Sequence, residues 1–525
     1  MTKRRVIEQL EKLIEIGIAL SEEPSHNNLL EMILLGAKSI TYADGGTLYC
    51  VENNVIKMEI VHSTSLKIHL GGTSNTPAHF PDIQLYQQDG TPNYKNVVSY
   101  AYHHNRTVNI ADANNNAHFD FSGIKKFDVL NHYHSKSFLA IPLKNHENDT
   151  IGILQLINAI DPTNGDVISF DEISMHFTQA LASQAAMVLT KHRLINDLES
   201  MFESLIQLIA TAIDDKSPYT GGHCRRVPEL TQLIAEAAHK TDTGYLKNFT
   251  MNDNDRYELK VASWLHDCGK ITTPEYVVDK ATKLETLYDR IELIATRFEI
   301  LKRDAEIAHL KQHINALNTQ KPTPDATQYH KVIKELDNDL AFIKHANTGT
   351  EFMPSTDQER IKTIAKQSWQ QAGKKQAVLS ENEVLNLTIS KGTLTKKERY
   401  IINHHIDATI AMLDKIHFPK HLKNVPEYAG GHHERIDGKG YPNRLMREQM
   451  SIPARIMAIA DIFEALTAKD RPYKNAKTLS EALSILKKMQ EEGHIDPDIY
   501  AAFMKEKVYL TYAKQFLDKR QIDVD

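Results

Sequence analysis

GGHHERIDGKGYP, residues 430–442, is the stretch from which the rest of the chain is read. His432 and His433 are adjacent, and two neighbouring imidazoles can present neutral nitrogens to one small volume, as a transition-metal site requires. Gly438, Gly440 and Pro442 make the segment a tight loop rather than a continued helix. A histidine pair alone is an ordinary surface feature. It gains weight because ligand-type side chains recur in apolar settings elsewhere.

ELKVASWLHDCGK, residues 258–270, is apolar at Leu259, Val261, Ala262, Trp264 and Leu265 and predicts a buried helix ending in His266-Asp267. An imidazole and a carboxylate are costly to bury there without partners, and a metal satisfies both. Lys270 follows three and four residues later, on the same helical face, where its ammonium can reach a phosphate oxygen. The bland alternative is an Asp267–Lys270 ion pair, which leaves His266 with no role. LTKKERYIINHHIDATIAML, residues 394–413, predicts a helix in which one of His404 and His405 faces inward. His405, next to Ile406, is the better candidate. ARIMAIADIFEALTA, residues 454–468, holds the carboxylate of Asp461 among Ile456, Ile459, Ile462 and Phe463. Unpaired, it would titrate neutral or destabilise the core, so a metal ligand is the simplest account. Arg471 and Lys474, in DRPYK, place two cations beside the site, suited to phosphate. His223 stands where a helix restarts after Gly221-Gly222 and by itself reads as an ordinary polar residue.

At 525 residues the chain should hold two to four domains. Its 41% hydrophobic and 25% charged content is that of a soluble globular protein. A net charge of −6 argues against a nucleic-acid coat or an anionic-membrane binder. Three scattered cysteines, Cys50, Cys224 and Cys268, fit a reducing cytoplasm. The N-terminus is charged and amphipathic without an apolar signal core, and no run reaches the ~18–20 apolar residues of a membrane span.

Val6–Ile18 and Leu29–Ile40 predict helices, with Ile7, Leu10, Leu13, Ile14 and Ile18 apolar in the first. Thr47–Val51 and Val55–Val61 predict strands around a Glu-Asn-Asn turn, and Lys136–Leu143 and Thr150–Ile157 a second strand pair. Helix returns over Asp171–Leu194. Helices flanking a sheet give an α+β sensory architecture. On KSFLAIPLKNHENDTIGILQLINA and SFDEISMHFTQALASQAAMVL, this region resembles a GAF domain, an antiparallel sheet flanked by helices, over residues 1–180. Asn158, Phe170, Asp171 and Glu172 are similar to the signature of cyclic-nucleotide-binding GAF domains, but the lysine expected after the asparagine is Ala159. The GAF ligand stays unknown, and a domain that dimerises without a nameable ligand is the preferred reading.

Residues 181–215 read as a connecting coiled-coil helix. Leu181, Val188, Ile195, Phe202 and Ile209 repeat every seven residues, with Leu198 and Leu205 in a second seam and Met187, Leu194, Met201 and Leu208 flanking. The expectation is a parallel homodimer through 181–212; the alternative is a helix packed on its own domain. Residues 284–390 read as a helical hairpin inserted in the C-terminal domain, with helices at 284–317, 332–346 and 359–371 and a proline-containing linker at 320–327.

The order His223, His266-Asp267, His405, His432-His433, Asp461, carried by HDCGK, HHERIDGKGYP and ADIFEALTAKDRPYK, resembles the HD-GYP family. The resemblance implies an all-helical domain over residues 216–515 that hydrolyses cyclic di-GMP. It implies that His223, His266, Asp267 and Asp461 hold one metal, and that Asp267 bridges to a second held by His405, His432 and His433. It gives Lys270 and Asp267 catalytic roles, Lys270, Arg471, Lys474 and Tyr441 contacts to substrate, and Gly440, Tyr441 and Pro442 a loop linked to signalling partners. Where some members hold a third metal through a carboxylate about one turn before the first histidine, this chain has Tyr219, so two metals are expected. Mixed imidazole and carboxylate donors suit iron or manganese, and paired metals suit in-line phosphodiester displacement. The other readings are an enzyme acting on another cyclic dinucleotide or nucleotide, and a silent receptor or scaffold.

Overall fold

The computed structural model describes residues 2–216, 222–349, 352–469 and 476–524. The chain divides into two compact units, Met1–Met201 and Phe202–Asp525.

The first unit opens with α1 (Thr2–Glu22) and α2 (His26–Thr41). Strands follow: β1 (Ala43–Glu52), β2 (Val55–Ser63), β3 (Ile68–Gly71) and β4 (Ile83–Gln84). Next come α3 (Val97–His104), β5 (Val108–Ile110), α4 (Ser122–Asn131), β6 (Phe138–Lys144), β7 (Thr150–Ile160) and β8 (Val167–Ile168). The sheet is antiparallel in the order β3-β2-β1-β7-β6-β5, with β4 beside β2 and β8 beside β7. Asn53 and Asn54 turn the β1–β2 hairpin, both in the left-handed region at φ 48° and 66°, the geometry a two-residue hairpin loop requires. Because side chains alternate along a strand, each central strand feeds two cores. Leu48, Leu139, Ile141, Leu154 and Leu156 pack with the α1, α2 and long-helix side. Tyr49, Phe138, Ala140 and Ile153 pack with α3 on the other.

Asn158, singled out from the sequence, is structural. Buried and at φ 57°, it accepts from Lys136 N (2.8 Å) and Ser137 N and donates to Tyr133 Oη (3.0 Å) and His134 O (2.8 Å). Asp171 pairs with Arg5 (2.9 Å) and accepts from Ser174 N (2.7 Å).

The helix α5 runs unbroken over Glu172–Lys216. The seven-residue repeat drawn from Leu181 is exposed in part: Ile195 and Ile209 face solvent, while its first two members are taken up by the first unit. Leu181 is fully buried, and Val188 packs on the same core. Exposed beside Ile195 and Ile209 are Met187, Leu194, Met201 and Leu208, again spaced in sevens, with Leu198 and Leu205 between them. The sequence pattern holds several overlapping repeats, and the first unit's own core consumes one of them. On α1, Ile7, Leu10, Ile14 and Ile18 are also exposed, while Gln9, Leu13 and Leu20 are buried.

The second unit begins with the last turns of α5 and continues with α6 (His223–His239), α7 (Asp253–Leu265) and α8 (Glu275–Val278). After the insert it resumes with α13 (Lys396–Asn403), α14 (His405–Leu413), α15 (Val425–Gly430) and α16 (Ile452–Thr467). It closes with α17 (Leu479–Glu491), α18 (Pro497–Lys505) and α19 (Val508–Phe516). One apolar core joins α6, α7, α15, α16 and the C-terminal helices. The predicted helix 394–413 is two helices, breaking at His404.

The insert has its own core, including Leu284, Ile294, Phe298, Leu336, Ile343 and Ile361. Its helices are α9 (Ile291–Asn318), α10 (Thr327–Asn347), α11 (Ser355–Ile364) and α12 (Glu381–Leu387). Where a third helix was expected to run on to residue 371, Ser368–Gln371 pairs with Lys374–Ala377 as a ribbon, turning through Gly373 at φ 77°. Buried Lys280 pairs with Glu398 (2.8 Å) and donates to Asn386 Oδ1 (2.8 Å), the second contact tying domain to insert. Among the described residues no helix is long and apolar enough to cross a membrane.

Candidate metal centre

Each histidine of the centre is delivered by a helix end or a tight turn. α7 starts on a capping box, in which Asn252 and Asp255 satisfy each other's backbone. It ends at Leu265, so His266 and Asp267 leave the helix together and a 3₁₀ turn, Cys268–Thr272, follows. Asp214, near the end of α5, accepts from Gly222 N (3.0 Å) and Cys224 N (3.3 Å) and thereby caps α6 at His223. Gly269 donates to Thr409 Oγ1 (2.9 Å), and a Cβ on Gly269 would lie 1.9 Å from His405 O. The absence of a side chain there brings the turn against α14.

The side chains converge in two groups. His223 Nε2 lies 3.3 Å from His266 Nε2, 3.2 Å from Asp267 Oδ2 and 3.4 Å from Asp461 Oδ1. His266 Nε2 lies 3.3 Å from Asp267 Oδ2 and 3.8 Å from Asp461 Oδ1. The second group is His405, His432 and His433, whose candidate ligand atoms all lie within 4.8 Å of one another. Asp267 faces both: its Oδ1 is 3.3 Å from His405 Nε2. His404 is exposed and pairs with Asp407 (3.0 Å), so His405 is the inward one of the two. Lys270 does pair with Asp267, on the same Oδ2 that faces His223 and His266. Arg471, Lys474 and Tyr219 lie outside the described residues.

Tautomers follow from the neighbours. His266 Nδ1 lies 2.8 Å from Ser263 O, His432 Nδ1 2.6 Å from Ala429 O, and His405 Nδ1 against Ile402 O. A carbonyl only accepts, so these Nδ1 atoms carry protons and Nε2 is the nitrogen left to ligate, bearing a lone pair whenever the ring is neutral. His405 Nε2, His432 Nε2 and Asp267 Oδ1 are buried with no hydrogen-bond partner among the described residues. Orphaned buried polar atoms cost about 1–3 kcal/mol each. A divalent cation satisfies all three, so the donor set fits metal.

Behind His223 stands a pair missed from sequence. Glu464 Oε2 lies 2.5 Å from His223 Nδ1, and Arg226 Nε donates to Glu464 Oε1 at 2.6 Å. Carboxylates behind metal-ligating imidazoles fix ring orientation and raise basicity. Glu464 sits three residues after Asp461, hence on the same face of α16, and that spacing was the available signal.

Protonation differs between the groups. Burial works against charge on His223, but Glu464, Asp267 and Asp461 raise its pKa well above the ordinary value. At His266 the same contest between burial and Asp267 ends at about 9. Burial, reinforced by neighbouring imidazoles, holds His432 well below its ordinary value, and burial takes His433 to about 4. Lys270 is raised, since Asp267 and Asp461 outweigh its burial.

The loop at 430–442 is held from inside. Buried Glu434 accepts from Asn443 N (2.6 Å) and Leu445 N (3.0 Å), and a Cβ on Gly440 would sit 2.3 Å from Arg435 N. Tyr441 precedes a cis Pro442, and its ring lies 4.9 Å from that of His433. Asp437 is engaged by Arg435 (2.7 Å) and Lys439 (3.2 Å).

Residues 26–189 match the GAF domain family and residues 376–499 the HD domain family. Over 309 residues, 58% of this chain, the sequence is 38% identical to 3′3′-cGAMP-specific phosphodiesterase 3 of Vibrio cholerae serotype O1, covering 39% of that protein. Over 75 residues, 14% of this chain, it is 48% identical to a cyclic di-GMP phosphodiesterase of Pseudomonas aeruginosa, covering 17% of it. Over 81 residues, 15% of this chain, it is 41% identical to 3′3′-cGAMP-specific phosphodiesterase 1 of Vibrio cholerae serotype O1, covering 19% of it. In each case this chain spans less than half of the relative's length.

Proposed function

We propose that this chain, a GAF domain joined to an HD domain, hydrolyses cyclic di-GMP to linear pGpG or on to GMP, under control of the GAF domain. The observation that carries the reading is Asp267, whose two oxygens face two separate imidazole groups while buried donor atoms on the His405 side lack partners. His223, His266, Asp267 and Asp461 would hold one divalent cation, iron or manganese by donor chemistry, and Asp267, His405, His432 and His433 another. Bound there, the cations supply charge neutralisation of the phosphodiester and an activated water.

Lys270 stays cationic and half-buried beside Asp267. It donates from Nζ to a non-bridging phosphate oxygen, or hands a proton to the departing 3′-oxygen. Tyr441 contacts the substrate from the loop, and Arg471 and Lys474 bind its phosphates. The exposed stripe from Met187 to Leu208 on α5 is the seam of a parallel homodimer, and Gly440–Pro442 offers a surface to a signalling partner. Metal analysis after anaerobic purification, followed by turnover of cyclic di-GMP by wild type and Asp267→Ala, tests the reading; equal turnover would remove it.

A second substrate, 3′3′-cGAMP, is favoured by the 309-residue similarity to an enzyme specific for it. Initial rates on both dinucleotides, with identification of the linear products, separate the two.

A further inference from the structure

A cavity of about 590 Å³ adjoins the metal centre, between the α13–α14 junction and the loop from Gly438 to Arg444. It shares a wall with the centre, because Tyr441 lines it and also packs on His433. Its chemistry is mixed. Tyr400 is 74% exposed and its ring is within 13° of parallel to that of His404, giving flat aromatic faces. Asp407 supplies a carboxylate whose Oδ2 faces His404 Nδ1 (3.0 Å), leaving Oδ1 for a ligand. Lys439 is engaged by Asp437 (3.2 Å). Arg444 has no ion-pair partner among the described residues and sits at φ 57°, where a non-glycine residue is strained. An exposed arginine in that backbone conformation gains nothing for the fold.

We propose that this cavity receives a guanine base of the cyclic dinucleotide, with Asp407 and Arg444 as its specificity-determining groups. The proposal rests on the phosphodiesterase reading and adds which base is chosen. Guanine offers the O6 and N7 acceptors to a guanidinium, and its N1–H and N2–H donors to a carboxylate. Adenine turns an N6 donor toward the first and an unprotonated N1 toward the second, mismatching both. Tyr400 and His404 supply stacking that any base can use. Tyr441, which lines the cavity and packs on His433, is a wall shared by base pocket and metal centre.

The test uses the full-length, metal-loaded protein and kcat/KM for cyclic di-GMP, 3′3′-cGAMP and cyclic di-AMP. Asp407→Asn keeps the side-chain size, and Arg444→Gly relaxes the backbone, so misfolding cannot explain a loss. Each variant is expected to lower kcat/KM for cyclic di-GMP about ten- to hundred-fold, mainly through KM, and to shrink the preference over cyclic di-AMP by the same factor. An equal fall for all three dinucleotides, or no fall, overturns the assignment. The parent reading is tested apart, with bis(p-nitrophenyl) phosphate, which carries no base: wild-type turnover should vanish in Asp267→Ala. If wild type cleaves neither kind of ester, calorimetric binding of cyclic di-GMP and cyclic di-AMP decides. Guanine-selective binding weakened in both variants supports the pocket, and unselective binding overturns it.

Discussion

The two halves of the metal centre bury the same side chain and resolve the cost in opposite ways. His223 and His266 lie among carboxylates, so protons settle on them, and burial loses to charge. His432 and His433 lie among other imidazoles, so burial wins and they stay neutral. The first half can satisfy itself with protons. The second retains lone pairs without partners, which a cation completes. Asp267 belongs to both, and its pKa lies well below the ordinary carboxylate range because Lys270 and His266 outweigh its burial.

Removing what the halves share should do most. Asp267→Ala is expected to lower turnover by at least about 10³-fold and to reduce bound metal to one or none per chain, read by kinetics and elemental analysis. Breaking one half comes next. His405→Ala or His432→Ala should leave about one metal and cost about 10²-fold in rate; two metals retained in either would erase the distinction between the halves. Glu464→Gln acts behind a ligand, so the expected loss is about 10- to 100-fold in metal affinity at the His223 half alone, seen by competition with a chelator.

The finest test is proton release. At pH 7.5 the apo His266, near 9, is protonated, and His223, against its burial, is pushed the same way by Glu464, Asp267 and Asp461, so a metal must displace protons there. Affinity at that half therefore rises with pH toward about 9 and falls on acidification. His433, near 4, is already neutral at pH 7.5 and releases none. Calorimetry in buffers of different ionisation enthalpy should count about one to two protons for the first half and none from His432 or His433. Equal release from both would remove the electrostatic contrast.

Much of this was legible in the sequence, for particular reasons. An aspartate inside ARIMAIADIF, or a histidine ending an apolar helix, contradicts its surroundings, and that contradiction can be read locally. The Asn53-Asn54 turn announced its hairpin in the same way. What stayed hidden depends on partners far along the chain. Arg226 and Glu464 are 238 residues apart, and each alone reads as a surface charge. Asp214 accepts from Gly222 N and Cys224 N at the start of the following helix, a task that no local pattern around it displays. On α5 several seven-residue repeats overlap, and only packing shows that Leu181 and Val188 belong to the first unit's core. The strand at Ser368 defeated the helical reading because its short polar run is specified by its ribbon partner.

Gly269 carries one last consequence. With a methyl group at that position unable to fit beside His405 O, the backbone itself acts as a gauge block between the HD turn and α14. The spacing of His266-Asp267 from His405 is thus set by main-chain contact and not by adjustable side chains, so even the smallest added group would act as a wedge, widening the gap while every side chain remained in place.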